Sequence, residues 1–143
     1  MNKFLPLLIL TYFIDANEIK FNAVDEHENG TLNVSFNLEQ VAYINSYALE
    51  NPSRLVLEIN DAYSKKPINE IYNYPIKKIR SSKDNNLTRV VIDLYDNVFW
   101  HKPIQKQEDS GILMNIKLLK DKSLKKNMRD IIVAIDAGHG GKY

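Results

Sequence analysis

The chain has 143 residues, with 19 Lys and Arg against 18 Asp and Glu, a net charge of +1. This balance leaves no global basic field to hold nucleic acid, and 44% apolar with 26% charged residues is globular rather than disordered usage. The lack of cysteine excludes disulfide scaffolds, Cys-based zinc sites, iron–sulfur clusters and Cys nucleophiles, and the length suits one domain with a short addition.

Met1-Asn2-Lys3 is a short positive start, and Phe4 to Ile14 is apolar except for Pro6, Thr11 and Tyr12. Asp15-Ala16-Asn17 then returns to polar sequence. A spanning helix needs about 20 apolar residues, so this stretch does not make a stable transmembrane span. A charged start, a short apolar core and a small residue at its end describe a secretory signal. Residues 1–16 are expected to be a signal peptide cleaved after Ala16. The competing reading is a buried first strand or helix of the fold.

The middle of the chain alternates with period two. Leu32, Val34, Phe36 and Leu38 oppose Asn33, Ser35 and Asn37; Leu55, Leu57 and Ile59 oppose Arg54 and Glu58. Val90, Ile92 and Leu94 oppose Arg89 and Asp93; Ile112, Met114, Ile116 and Leu118 oppose Asn115 and Lys117. Such runs put one face on a core and the other in water, the mark of antiparallel sheets. Asn29-Gly30, Asn51-Pro52-Ser53, Lys83–Asn86 and Asp109-Ser110-Gly111 supply turns between them.

The runs also repeat. A shift of 56 or 57 residues lays Ile19 on Ile76, Leu32–Phe36 on Thr88–Ile92, Leu55–Ile59 on Ile112–Ile116, and Val41–Tyr47 on Val98–Ile104. Each half then reads as four short strands, with the joint in Ala62–Tyr74. A four-stranded sheet with one apolar face is incomplete alone. The predicted fold is therefore mostly β, a sandwich of two short four-stranded sheets from an internal duplication. The alternative is a chance alignment of alternating strands.

Lys117–Arg129 carries six basic side chains and one acidic one. It could attract an anionic polymer, but a solvated interdomain linker over residues 119–130 is the preferred reading. Ile131–Ile135 is continuously apolar, as in a strand covered on both faces, and Asp136-Ala137-Gly138-His139-Gly140-Gly141 follows at once. Glycines around a histidine expose the imidazole as a metal ligand, and the nearby Asp136 could orient it. A phosphate-binding loop fails because Asp136 and Tyr143 stand where Gly and Ser or Thr are needed. A dinucleotide fingerprint fails because Tyr143 replaces its third glycine.

Residues 132–141, Ile-Val-Ala-Ile-Asp-Ala-Gly-His-Gly-Gly, resemble the opening strand and first zinc-ligand loop of the zinc-dependent N-acetylmuramoyl-L-alanine amidases. Ile79-Arg80, Thr88–Leu94 and Arg54–Ile59 resemble the strands of the AMIN domain that precedes this catalytic domain in periplasmic amidases. The resemblance implies an AMIN-like β domain at 17–118 and a truncated start of the zinc amidase domain at 131–143. It implies a periplasmic cell-wall hydrolase that cleaves the amide between N-acetylmuramic acid and L-alanine, with this part targeting it to envelope or septum by binding peptidoglycan. It also implies that His139 is the first zinc ligand of the parent enzyme. The remaining ligands and the general base have no match, so no catalytic residue is assigned in this chain and no zinc is expected on it. The three histidines, His27, His101 and His139, show no convergence in sequence. In the isolated chain, a frayed tail is the preferred reading of His139.

AMIN domains also occur joined to non-enzymes such as secretins, so the alternative is a stand-alone module that binds peptidoglycan or an envelope or division-site protein. Arg54, Arg80, Arg89 and Trp100 are the candidate substrate-binding residues, with Tyr43, Tyr47 and Tyr95 nearby in sequence. Arginine pairs with carboxylates and aromatic faces stack on sugars. Against this stands a structural reading, in which the aromatics fill the core and the arginines sit in cross-strand pairs. Secreted protein should begin at Asn17; mass spectrometry finding an intact Met1 terminus in that fraction would contradict the cleavage site.

Overall fold

A computed structural model describes residues 17–96 and 98–119. The expected signal peptide at 1–16, the linker beyond Leu119, and the amidase-like segment 131–143 with His139 lie outside the described residues.

The described chain is all strand and turn. Its elements are β1 (Asn17–Glu26), β2 (Thr31–Leu38), β3 (Ile44–Leu49), β4 (Arg54–Asn60), β5 (Ala62–Tyr63) and β6 (Asn69–Ile71). They continue with β7 (Ile76–Asp84), β8 (Leu87–Leu94), β9 (Phe99–Trp100), β10 (Ile104–Glu108) and β11 (Gly111–Leu119). The four alternating runs of the sequence are β2, β4, β8 and β11, and the predicted turns separate them from their neighbours. No helix among the described residues is long and apolar enough to cross a membrane.

Two sheets form. The first runs β10-β11-β2-β1-β5, with β9 also paired to β11; the second runs β3-β4-β8-β7-β6. Each has a four-stranded antiparallel body, β10-β11-β2-β1 or β3-β4-β8-β7, extended by short strands. The predicted two-sheet β sandwich is present, with a difference in how the halves are used. The joint at Ala62–Tyr74 is not a bare connection: β5 joins β1 in parallel and β6 joins β7. The halves also exchange hairpins. β1-β2 of the first half pairs with β11 of the second, and β7-β8 of the second pairs with β4 of the first.

The exchange follows from the alternation. β2 and β8 each have neighbours on both sides, so they sit inside their sheets and bury every second side chain. The buried sets Leu32, Val34, Phe36, Leu38 and Thr88, Val90, Ile92, Leu94 match at a constant shift of 56. The partner strands slide relative to that shift. Ile112 faces Leu38, which would place Leu55 opposite Leu94, yet Leu55 faces Ile92. A slide of two residues keeps every side chain on its face, whereas a slide of one would turn the core outward. One core cluster results, drawing Phe36, Met114 and Ile116 from the first sheet and Leu55, Leu57, Ile79 and Ile92 from the second.

Gly111 opens β11 at φ +132, a region open to glycine, and an added Cβ would lie 2.6 Å from the Leu38 carbonyl oxygen. Gly111→Ala should therefore cost at least about 1–3 kcal/mol. Thermal unfolding should show a midpoint lower by several degrees; an unchanged midpoint would contradict the close approach of β11 to Leu38.

Candidate ligand-binding surface

Period-two geometry also determines what the second sheet shows to water. With Leu55, Leu57, Ile59, Ile79, Val90, Ile92 and Leu94 inside, the alternate residues of β3, β4, β8 and β7 point out. The register arranges them in rows across the sheet. Leu49, Arg54, Asp93 and Lys78 form one; Tyr47, Val56, Val91 and Arg80 the next; Asn45, Glu58, Arg89 and Ser82 the third. Arg54, Arg80 and Arg89 are all the arginines among the described residues, and all three stand on this face.

They are brought together around a shallow depression of about 300 Å³, lined by Tyr47, Leu49, Arg54, Val56, Arg80, Ser82, Arg89 and Val91. Val56 and Val91 sit at its centre and are buried, although they point away from the sandwich core. Long side chains around them can lay their aliphatic stems over this apolar patch while the charged ends stay wet.

Two of the arginines are held. Arg80 donates from Nε and Nη2 to the two carboxylate oxygens of Asp93, at 2.7 and 3.2 Å. Arg89 donates from Nε and Nη2 to Glu58 Oε1, at 3.1 and 2.8 Å. Glu58 also accepts from Tyr47 Oη at 3.1 Å and from Asn45 Nδ2 at 3.3 Å. The structural reading of Arg80 and Arg89 is thus realised, but it does not exhaust them. A guanidinium has five N–H donors, and these bonds occupy two in each. Arg54 forms no ion pair among the described residues; its Nε lies 3.4 Å from the Pro52 carbonyl oxygen.

Protonation follows from these contacts. The Arg89 guanidinium holds the Glu58 carboxyl below the usual glutamate value of 4.5. Asp93 raises Arg80, and Glu58 raises Arg89. Burial, aided by the Glu58 carboxylate, raises the Tyr47 phenol. Arg80, Arg89 and Glu58 are therefore charged at neutral pH, and the three rows place four basic side chains, Arg54, Lys78, Arg80 and Arg89, beside the acidic Glu58 and Asp93.

Trp100 lies elsewhere. It sits on β9 opposite Leu118 in the first sheet, where it packs against the core. It does not line the depression. Tyr95 is exposed and lies against Tyr74, with ring centroids 6.4 Å apart and Lys77 Nζ 5.9 Å from the Tyr95 ring. His27 occupies the turn after β1, and His101 follows β9 with its backbone N–H bonded to the Lys117 carbonyl. Among the described residues no group of three His, Cys, Asp or Glu side chains could hold a metal. Sequence reasoning passed over Glu58 and Asp93, which position the arginines. Their outward parity beside Arg54 and Arg89 was the available signal.

The fold defines a two-sheet β domain with a cationic outer face. The AMIN domain profile matches residues 18–115, and the chain belongs to the AMIN domain family. AMIN domains are peptidoglycan-binding and targeting modules of cell-envelope proteins. No curated protein matches the chain.

Because the folded-state carboxyl of Glu58 is lowered, its stabilising contribution is complete above 4.5 and is lost as pH falls through its folded value. For a pair this exposed the contribution is about 0.5–1 kcal/mol. Glu58→Gln should lower stability by about that much at pH 7, with the gap from wild type closing below pH 4.5. Urea unfolding across this range checks it; a gap that widens in acid would contradict the pairing.

Proposed function

We propose that this chain is the wall-targeting N-terminal part of a cell-wall hydrolase that cleaves the N-acetylmuramoyl–L-alanine amide of peptidoglycan, and that it holds peptidoglycan by the arginine face of its second sheet. The observation that carries the binding site is the gathering of Arg54, Arg80 and Arg89 around one depression. Peptidoglycan stem peptides present carboxylates, and guanidinium groups take carboxylates through paired N–H donors. Glu58 and Asp93 orient Arg89 and Arg80 before any ligand arrives, which reduces the ordering cost of binding. Arg54, without a carboxylate of its own, is the strongest candidate for direct contact.

The hydrolase part of the reading rests on residues 132–141, where His139 would be a zinc ligand of the parent enzyme. The described residues offer no cluster to complete such a site, so no catalytic step is assigned to them. Periplasmic export rests on the positive start at Lys3 and the apolar run from Phe4 to Ile14. A stand-alone binding module is the second reading. It is favoured by the single core of the described residues, whose members run from Ile19 to Leu118 across both sheets.

Cosedimentation of residues 17–143 with purified sacculi tests the binding site. The wild-type chain should pellet, less so as salt rises, and should release no stem peptide alone. Arg54→Gln should weaken pelleting several-fold, and a triple Gln variant at positions 54, 80 and 89 should abolish it. Undiminished pelleting of a folded triple variant would overturn the assignment.

A further inference from the structure

A second recess lies at the end of the sandwich where four chain segments meet. Its volume is 580 Å³, within the range of about 300–1,000 Å³ usual for small-ligand sites. The start of β1, the β2–β3 connection, the β4–β5 junction and the β7–β8 turn each contribute to its lining.

Its chemistry differs from that of the arginine face. The lining includes the carboxamides of Gln40, Asn60, Asn85 and Asn86, and among the described residues its charged members are Asp61 and Lys83, of opposite sign. Tyr43 is 71% exposed on this lining, so its ring is not spent on the core. The side chains of Gln40, Asn60 and Asn86 take no hydrogen bond from or to the described residues. The framework beneath is fixed. Gln105 clamps Ala42 by donating to its carbonyl oxygen at 2.8 Å and accepting from its N–H at 2.9 Å. Asn60 N–H donates to the Tyr43 carbonyl at 3.1 Å, and Asp61 N–H donates to the Asn86 carbonyl at 2.7 Å.

Unspent carboxamides offer a donor and an acceptor side by side, as hydroxyl and N-acetyl groups require. An exposed tyrosine offers a flat apolar face. Cancelling charges give no preference for an ion. We propose that this recess binds the uncharged N-acetylated glycan strand of the wall polymer, as a subsite separate from the arginine face. The inference rests on the wall-binding reading and adds which part of the polymer goes where. Asn60 is two residues beyond Glu58 on β4, about 7 Å along the strand. The recess therefore adjoins the row of Glu58 and Arg89, and a sugar seated in it would send its peptide toward the arginines.

Chitotetraose, an N-acetylglucosamine tetramer without lactyl or peptide carboxylates, is the probe. In NMR titrations of labelled 17–143 chain, the side-chain amide signals of Asn60, Asn85 and Asn86 should shift. Tyr43→Ala should weaken binding about tenfold, since a lost stacking contact of about 1.4 kcal/mol is tenfold in affinity. Asn37→Ala, on the exposed outer side of β2 in the first sheet, should leave it unchanged. No response at millimolar chitotetraose, or equal affinity of a folded Tyr43→Ala variant, would overturn the glycan subsite. A chain that pellets with sacculi yet ignores chitotetraose loses this inference alone. A chain that binds chitotetraose here while its triple arginine variant pellets normally keeps it and loses the arginine assignment.

Discussion

The pairing of β2 with β11 and of β4 with β8 is the constraint on which the structure depends. Both ladders join one half of the chain to the other; Asn33 and Asn115, 82 residues apart, share a hydrogen bond across the first. Neither half closes a sheet alone, because each hairpin finds its inner neighbour in the opposite half. Such distant pairings carry a loop-closure cost before they return any stability, so the apolar face they complete must be large and continuous. The shared cluster from Ile19 to Leu118 meets that need. It also makes the β4–β8 ladder a stiff platform, which holds Arg54, Arg89 and their neighbours in rows.

The repeated strand pattern gives two comparable outer faces, and among the described residues only one carries arginines. Under the repeat, Arg54 corresponds to Gly111, Arg80 to Ala23 and Arg89 to Asn33. The fold stays symmetric because the inward positions remain apolar in both halves. The outward positions are free of that demand and differ in charge between the halves. Glu58 and Asp93 do not neutralise the patch; they orient two guanidinium groups and leave a cationic excess. Surface pairs of this kind contribute little stability, so their consequence here is geometric.

Much of the fold was legible in the residues. The alternation in β2, β4, β8 and β11 gave the four inner strands and the orientation of each, because a strand buried on one face must alternate. The amphipathic sandwich followed from that. β5 and β6 were not legible: strands of two or three residues have no period to detect, and their placement depends on edges made by β1 and β7. The hairpin exchange was hidden because pairing partners leave no mark in the order of strands. At the site, outward parity singled out Arg54, Arg80 and Arg89, but their convergence required the register. Trp100 looked equally suited to a ligand, since aromatic residues serve cores and sugar faces alike. The amide recess could not be read at all, because it gathers turn residues from four separate segments, each an ordinary loop in sequence.

The central claim is that the outer face of the second sheet is the wall-binding surface. Backbone NMR of the 17–143 chain, titrated with a soluble disaccharide-peptide fragment of peptidoglycan, tests it most directly. The account predicts shifts concentrated at Arg54, Val56, Arg80, Arg89 and Val91, with the outer residues Asn33, Asn37 and Asn115 of the first sheet unmoved. Shifts confined to the first sheet, with the arginine rows silent, would contradict it.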